Sequence, residues 1–127
     1  MSAVPDGLRY SKDHEWAKVE GDRARVGITD HAQSELTDVV YVELPETGKV
    51  VDQGAVLGTV ESVKAVSEIL SPLGGKVLEV NRTLEDRPEI VNKDPYGGGW
   101  LVLLEIANPS EVTKLLDPAG YRKHIGE

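Results

Sequence analysis

The 127-residue chain contains no cysteine and no phenylalanine, and its single methionine is the first residue. Without cysteine there can be no disulfide, no thiol nucleophile and no thiolate metal ligand. With aromatics at only 5%, valine, leucine and isoleucine must fill the interior, and the β-branched members of that set favour strands. Basic residues are also short: 14 Lys and Arg stand against 22 Asp and Glu, a formal net charge of -8. No Lys/Arg cluster is present to neutralise phosphates, which argues against nucleic-acid or anionic-membrane binding. No apolar run reaches membrane-spanning length. Met1 to Gly7 has neither a signal-peptide core nor an Arg-rich amphipathic stretch, so a cytoplasmic location is expected.

Catalytic patterns are missing as well. The three histidines, His14, His31 and His124, do not lie one helical turn apart, so no zinc-helix motif exists. Asp13-His14-Glu15 and Asp30-His31 would supply metal ligands only if the fold joined them, and no metal site is expected. There is no G-x-S-x-G nucleophile elbow. Gly97-Gly98-Gly99 precedes a strand-like segment rather than a helix, so it lacks the helix N-terminus that holds phosphate. No catalytic residue is therefore assigned; a role in chemistry would require the chain to carry something.

What is present reads as one mainly β domain over residues 1–127. Trp16–Glu20 and Arg23–Ile28 flank Gly21-Asp22 with period-two alternation, a half-buried hairpin. Asp30, with Gln33 three residues on, resembles the capped start of a short helix. Val39–Leu44, Val50–Val51, Lys76–Val80 and Leu101–Ile106 are strand-like, each bounded by Gly, Pro or polar turns. Residues 81–99 read as a long connection. Helices are expected over about 109–125, with Asn108 as cap, Pro109 at the first helical position, Glu111 completing a capping box and a second start at Asp117-Pro118. This pattern suggests a β-sandwich or flattened barrel with short peripheral helices.

The centre of interest is a hairpin over residues 55–72. Glu61-Ser62-Val63-Lys64-Ala65-Val66-Ser67-Glu68 reads nearly the same from either end. In an antiparallel pair that mirror sets Glu61 opposite Glu68, Ser62 opposite Ser67 and Val63 opposite Val66, with the turn centred between Lys64 and Ala65. Lys-Ala lacks the Gly or Asn of primed turns, so a type I turn is expected. A lysine at such a tip is by itself an ordinary solvated charge.

Lys64, flanked by Val63 and Ala65 rather than by methionines, resembles a lipoyl rather than a biotin attachment site. The likeness extends along the chain: His14-Glu15-Trp16, Val26–Gln33, Val42-Glu43-Leu44-Pro45, Val60–Ser67, Val91-Asn92, Asp94-Pro95-Tyr96, Gly99-Trp100 and the helix pair after Asn108. In order and spacing these resemble the H protein of the glycine cleavage system. The resemblance implies a lipoyl-type barrel-sandwich hybrid with lipoate joined to Lys64 as N6-lipoyl-lysine. It implies a non-catalytic carrier of the aminomethyl group of glycine. The partners so implied are a glycine decarboxylase (P protein), an aminomethyltransferase (T protein), a dihydrolipoyl dehydrogenase (L protein) and a lipoate-attaching enzyme. Docking of the loaded arm is implied for Glu15 and Glu68, where relatives often have the shorter Asp at the second position. A monomer is expected, since a shuttle presents one arm to several partners. Two other readings stay open from the residues alone: a lipoyl relay serving other enzymes, and an unmodified β-sandwich interaction module.

Overall fold

In the computed structural model, which describes residues 2–127, the period-two segments assemble into two sheets. The larger has the order β1 (Arg9–Tyr10), β2 (Glu15–Glu20), β3 (Arg23–Ile28), β9 (Val102–Ile106), β8 (Gly75–Val80) and β5 (Val50–Val51). The smaller has the order β4 (Val39–Glu43), β6 (Val56–Ser62) and β7 (Val66–Leu70). Neighbouring strands run antiparallel throughout. Val26, Val77 and Leu104 of one sheet and Val42, Val60 and Ile69 of the other belong to one buried cluster. Aliphatic side chains thus fill the interior, as the lack of phenylalanine requires, and the mainly β sandwich is the expected one.

The scarce aromatics collect in a second cluster instead. Tyr10, Trp16 and Tyr121 are buried together with Val4, and Tyr96 and Trp100 pack against them. Tyr10 stacks on Tyr121 at 4.7 Å between ring centroids, and the Trp16 indole N–H donates to the Pro95 carbonyl at 2.9 Å. This cluster fastens the C-terminal helix α4 (Pro118–His124) against β1 and β2.

Several local expectations change. Helix α1 (Asp30–Leu36) is capped by Thr29, whose Oγ1 accepts the Ala32 N–H at 3.2 Å. Asp30 is occupied elsewhere, accepting from Ala3 N–H and the Gln33 side chain, each at 2.8 Å. The connection 81–99 holds two single-turn helices, α2 (Thr83–Asp86) and α3 (Ile90–Lys93), each anchored by a buried aliphatic, Leu84 or Val91. Tertiary burial overrides the poor local helix signal there. After Asn108 the chain forms a 3₁₀ helix, Pro109–Lys114. Glu111 does not return to its cap; its carboxylate accepts the Gly74 N–H at 2.9 Å. Asp117 caps α4 by accepting the Gly120 N–H at 2.7 Å.

Gly58 in β6 marks where the small sheet is tightest: a Cβ there would overlap the carbonyl oxygen of Glu43 on β4. The obstacle is backbone, which cannot rotate away. Gly58→Ala is expected to destabilise by about 2–3 kcal/mol, read as a lower urea midpoint at unchanged slope. A loss below about 0.5 kcal/mol would show that the β4–β6 pair yields without difficulty.

Candidate functional site

Strands β6 and β7 form the central hairpin, but not in the mirror register. Glu61 faces Val66, Val60 faces Ser67 and Thr59 faces Glu68. The turn is centred between Val63 and Lys64, one residue earlier than the palindrome suggests. Two physical reasons favour the observed register. It keeps the carboxylates of Glu61 and Glu68 from facing each other directly, a destabilising like-charge pair. It also places Ser62 at the start of the turn, where its Oγ accepts both Lys64 N–H (3.2 Å) and Ala65 N–H (3.0 Å). The Ser62 N–H donates to the Ala65 carbonyl at 2.8 Å, closing the tip. A serine side chain thus supplies the acceptor that a Gly- or Asn-based turn would not need.

The tip is tied down from one side only. Val63 N–H donates to the Asp38 carbonyl at 3.0 Å in the connection between α1 and β4. Lys64 is exposed, and its amine donates to the backbone carbonyl of Glu35 near the end of α1 at 3.3 Å. Lys64 takes part in none of the ion pairs found among the described residues. Around it Val63 and Val66 are 70% and 64% exposed, and Tyr41, cross-strand from Glu61, is half exposed. Ala65 and Glu61 are also exposed, Ser62 is buried and Ser67 lies between.

Beside the hairpin runs a cleft of about 160 Å³, walled by Asp13, His14, Ala32, Glu35, Ser67 and Glu68, with Ile28, Leu36 and Ile69 at its floor. Glu35 therefore belongs both to the cleft and to the contact that holds the Lys64 amine. Glu68 lines this cleft, but Glu15 does not: it lines a neighbouring hollow of about 220 Å³ with Tyr10, Ser11, Asp13 and Pro72. Asp13 is the residue common to both.

Glu15 is no surface acid. It is 1% exposed, and its carboxyl accepts the Ser11 hydroxyl proton at 2.6 Å. Burial pushes its pKa up to about 8; hydrogen bonds from Ser11 and the Leu70 N–H oppose the shift, and Asp13 adds to it. At neutral pH the carboxyl is mainly protonated. His14 is the other perturbed group: burial first, then the neighbouring His31 and His124, hold its pKa below the ordinary value.

Lipoate fits the residues present. An amide on the Lys64 Nζ keeps one N–H, so the bond to the Glu35 carbonyl survives loss of the charge. A stem attached there would start beside Glu35, a wall of a cleft with both carboxylate and apolar sides.

The family described as "Glycine cleavage H-protein" matches residues 8–127. The chain belongs to that family. It is 54% identical over 127 residues to a glycine cleavage system H protein of Rubrobacter xylanophilus, covering 100% of this chain and 98% of the relative. It is 51% identical to one of Halalkalibacterium halodurans, covering 100% of this chain and 99% of the relative. The crystal structure of a glycine cleavage system H protein from Mycobacterium marinum superposes with a TM-score of 0.90 at 38% identity, covering 98% of this chain and 100% of that one. The family is the lipoyl carrier of the glycine cleavage system, and the chain has that carrier's fold.

The sequence singles out Lys64 and its neighbours as candidates but gives no signal for Glu35, whose contact with the Lys64 amine depends on where α1 ends in space. Nor does it signal the gathering of the histidines. His14 and His31 lie 4.7 Å apart between ring centroids, and His14 and His124 5.6 Å. No set of three or more ligands able to hold a metal ion occurs among the described residues.

Proposed function

We propose that Lys64 is the lipoate attachment point, and that the chain is a non-catalytic, monomeric, cytoplasmic carrier. A lipoate-attaching enzyme modifies it, and the decarboxylase, the aminomethyltransferase and the dihydrolipoyl dehydrogenase then visit it in turn. The carrying observation is that the exposed Lys64 amine sits 3.3 Å from the carbonyl of Glu35, a wall of the cleft. When bound, lipoate supplies a disulfide that opens to accept the aminomethyl group and is later re-formed from the dithiol.

The chain's own residues do the rest. Ser62 fixes the turn, so Lys64 is presented in one place and transfers occur at high effective concentration. Val63 and Val66 keep the tip free of competing polar partners. The lack of cysteine leaves no internal thiol to exchange with the arm. Glu68, Asp13 and Glu35 offer carboxylates to a cationic arm end within the cleft. Glu15 lines the neighbouring hollow that shares Asp13 with the cleft, and there it offers the arm a buried, mainly neutral carboxyl rather than a charge. No helix among the described residues is long and apolar enough to cross a membrane.

The fully lipoylated protein is expected to support glycine–bicarbonate exchange by its cognate decarboxylase, while the unmodified protein gives only background. A fully modified protein that fails in this assay would overturn the glycine role and leave the relay reading.

A further inference from the structure

We propose that His14, His31 and His124 form a proton-operated gate on the cleft: neutral rings leave it open to the cationic end of an arm on Lys64, and protonated rings close it. The inference rests on the reading that the arm docks in this cleft. All three histidines of the chain are gathered here, from three separate elements: the β1–β2 connection, α1 and α4. His14 is itself a cleft wall.

The wall is built to hold its ring still. His14 has φ 70°, a left-handed backbone that non-glycine residues rarely adopt. Its N–H donates to the Ser11 carbonyl at 3.2 Å, and its carbonyl accepts the Thr29 N–H at 3.0 Å. Its Nδ1 meets the Tyr121 hydroxyl at 2.8 Å, and that hydroxyl meets Thr29 Oγ1 at 2.7 Å. With His14 neutral, Thr29 donates to Tyr121 and Tyr121 to Nδ1. With His14 protonated, the same chain runs in reverse, Nδ1 to Tyr121 and Tyr121 to Thr29. The His14–Tyr121 and Tyr121–Thr29 contacts are kept in both states, so a proton taken from solvent adds charge without parting the three side chains.

The other two rings complete the device. His124 Nε2 lies 2.9 Å from the Lys12 carbonyl, which only accepts, so that nitrogen carries a proton and ties the ring to the β1–β2 connection. His31 Nε2 is 3.4 Å from Glu35 Oε1. Once protonated, His31 pairs with this carboxylate and withdraws it as a partner for the arm. The charged and titratable groups facing the cluster are Asp13 on its own connection, Glu35 on α1, Glu68 across the cleft on β7, and Tyr121 on α4, itself influenced by Glu15, Asp30 and Glu127. Asp13 and Glu35 favour the protonated His14; burial and the other two rings oppose it. Each added proton therefore makes the next harder, and a cation in the cleft acts in the same sense as a protonated ring. By linkage, a docked cation must disfavour ring protonation as much as ring protonation disfavours docking.

The test follows the backbone amide NMR signals of Ser67, Glu68 and Ile69 in the lipoylated protein, with and without the amine load on the arm. Load-dependent shifts are expected at about pH 8, with the docked fraction falling about tenfold by about pH 5.5. In the variant carrying His14→Gln, His31→Gln and His124→Gln no ring is left to protonate, and the ratio of docked fraction between the two pH values is expected to shrink to about threefold or less. Docking that survives acidification in the native protein overturns the gate, and so does an undiminished fall in the triple variant. No load-dependent shift at the higher pH would instead overturn the docking reading beneath it.

Discussion

Lys64→Arg is expected to abolish lipoyl attachment outright: incubated with lipoate, ATP and the attaching enzyme, the variant should show no lipoyl increment in its intact mass, while the native chain is converted fully. The substitution isolates the chemistry. Arginine keeps the charge, the reach and a donor for the Glu35 carbonyl, and it sits on an exposed turn whose geometry is set by the Ser62 hydroxyl rather than by the side chain at position 64. The fold is therefore expected to melt as the native chain does. A guanidinium stays protonated at any accessible pH and does not acylate as an amine can. Other lysines do not substitute, because none lies at the tip of the β6–β7 hairpin. Lipoyl mass on the variant would overturn the assignment, and would move the arm away from the cleft that gives the site its meaning.

Glu15→Gln should produce the largest change in stability, visible only as a function of pH. In the folded chain the Glu15 pKa is about 8, against an ordinary value of 4.5. Between those values the folded state binds the proton that the unfolded state has released. Stability from this group is thus complete below about pH 4.5 and is lost as pH rises through about 8. The difference between 4.5 and about 8 corresponds to on the order of 5 kcal/mol across that window. Glutamine has the same shape, still accepts from Ser11, and never ionises. Glu15→Gln is therefore expected to match the native protein near pH 5 and to exceed it by several kcal/mol near pH 9, seen as a higher melting temperature and a flat profile. Parallel profiles for the two proteins would show that Glu15 is ionised and solvated in the folded state.

These two residues show how unevenly the site can be read from the chain. Lys64 is legible because its setting is local: a turn, two strand-forming flanks, no methionine, and a longer pattern shared along the chain. Glu15 is named by the same likeness, yet its condition is not legible, because burial depends on how Ser11 and the β7 edge meet it in space. The palindrome misleads in a similar way. Its symmetry is real as text, but register is decided by charge and turn chemistry, and Ser62 overrides the mirror.

The helical turns after Asn81 follow the same logic. Their residues carry little helix preference, and they coil because Leu84 and Val91 have a core to enter. The histidines carry no motif at all, since their spacing along the chain bears no relation to their spacing in space.

The sequence by itself determined the β-rich class, the aliphatic core, the absence of thiol chemistry and the lysine at the hairpin tip. Composition and period-two patterning act through local propensity and burial, which are written residue by residue. Only the tertiary structure decided the hairpin register, the neutral buried state of Glu15, the cleft that joins Glu35 to Glu68, and the meeting of His14, His31 and His124. Each of these depends on residues far apart in the chain whose fields and packing exist only once the two sheets and α4 have closed on one another.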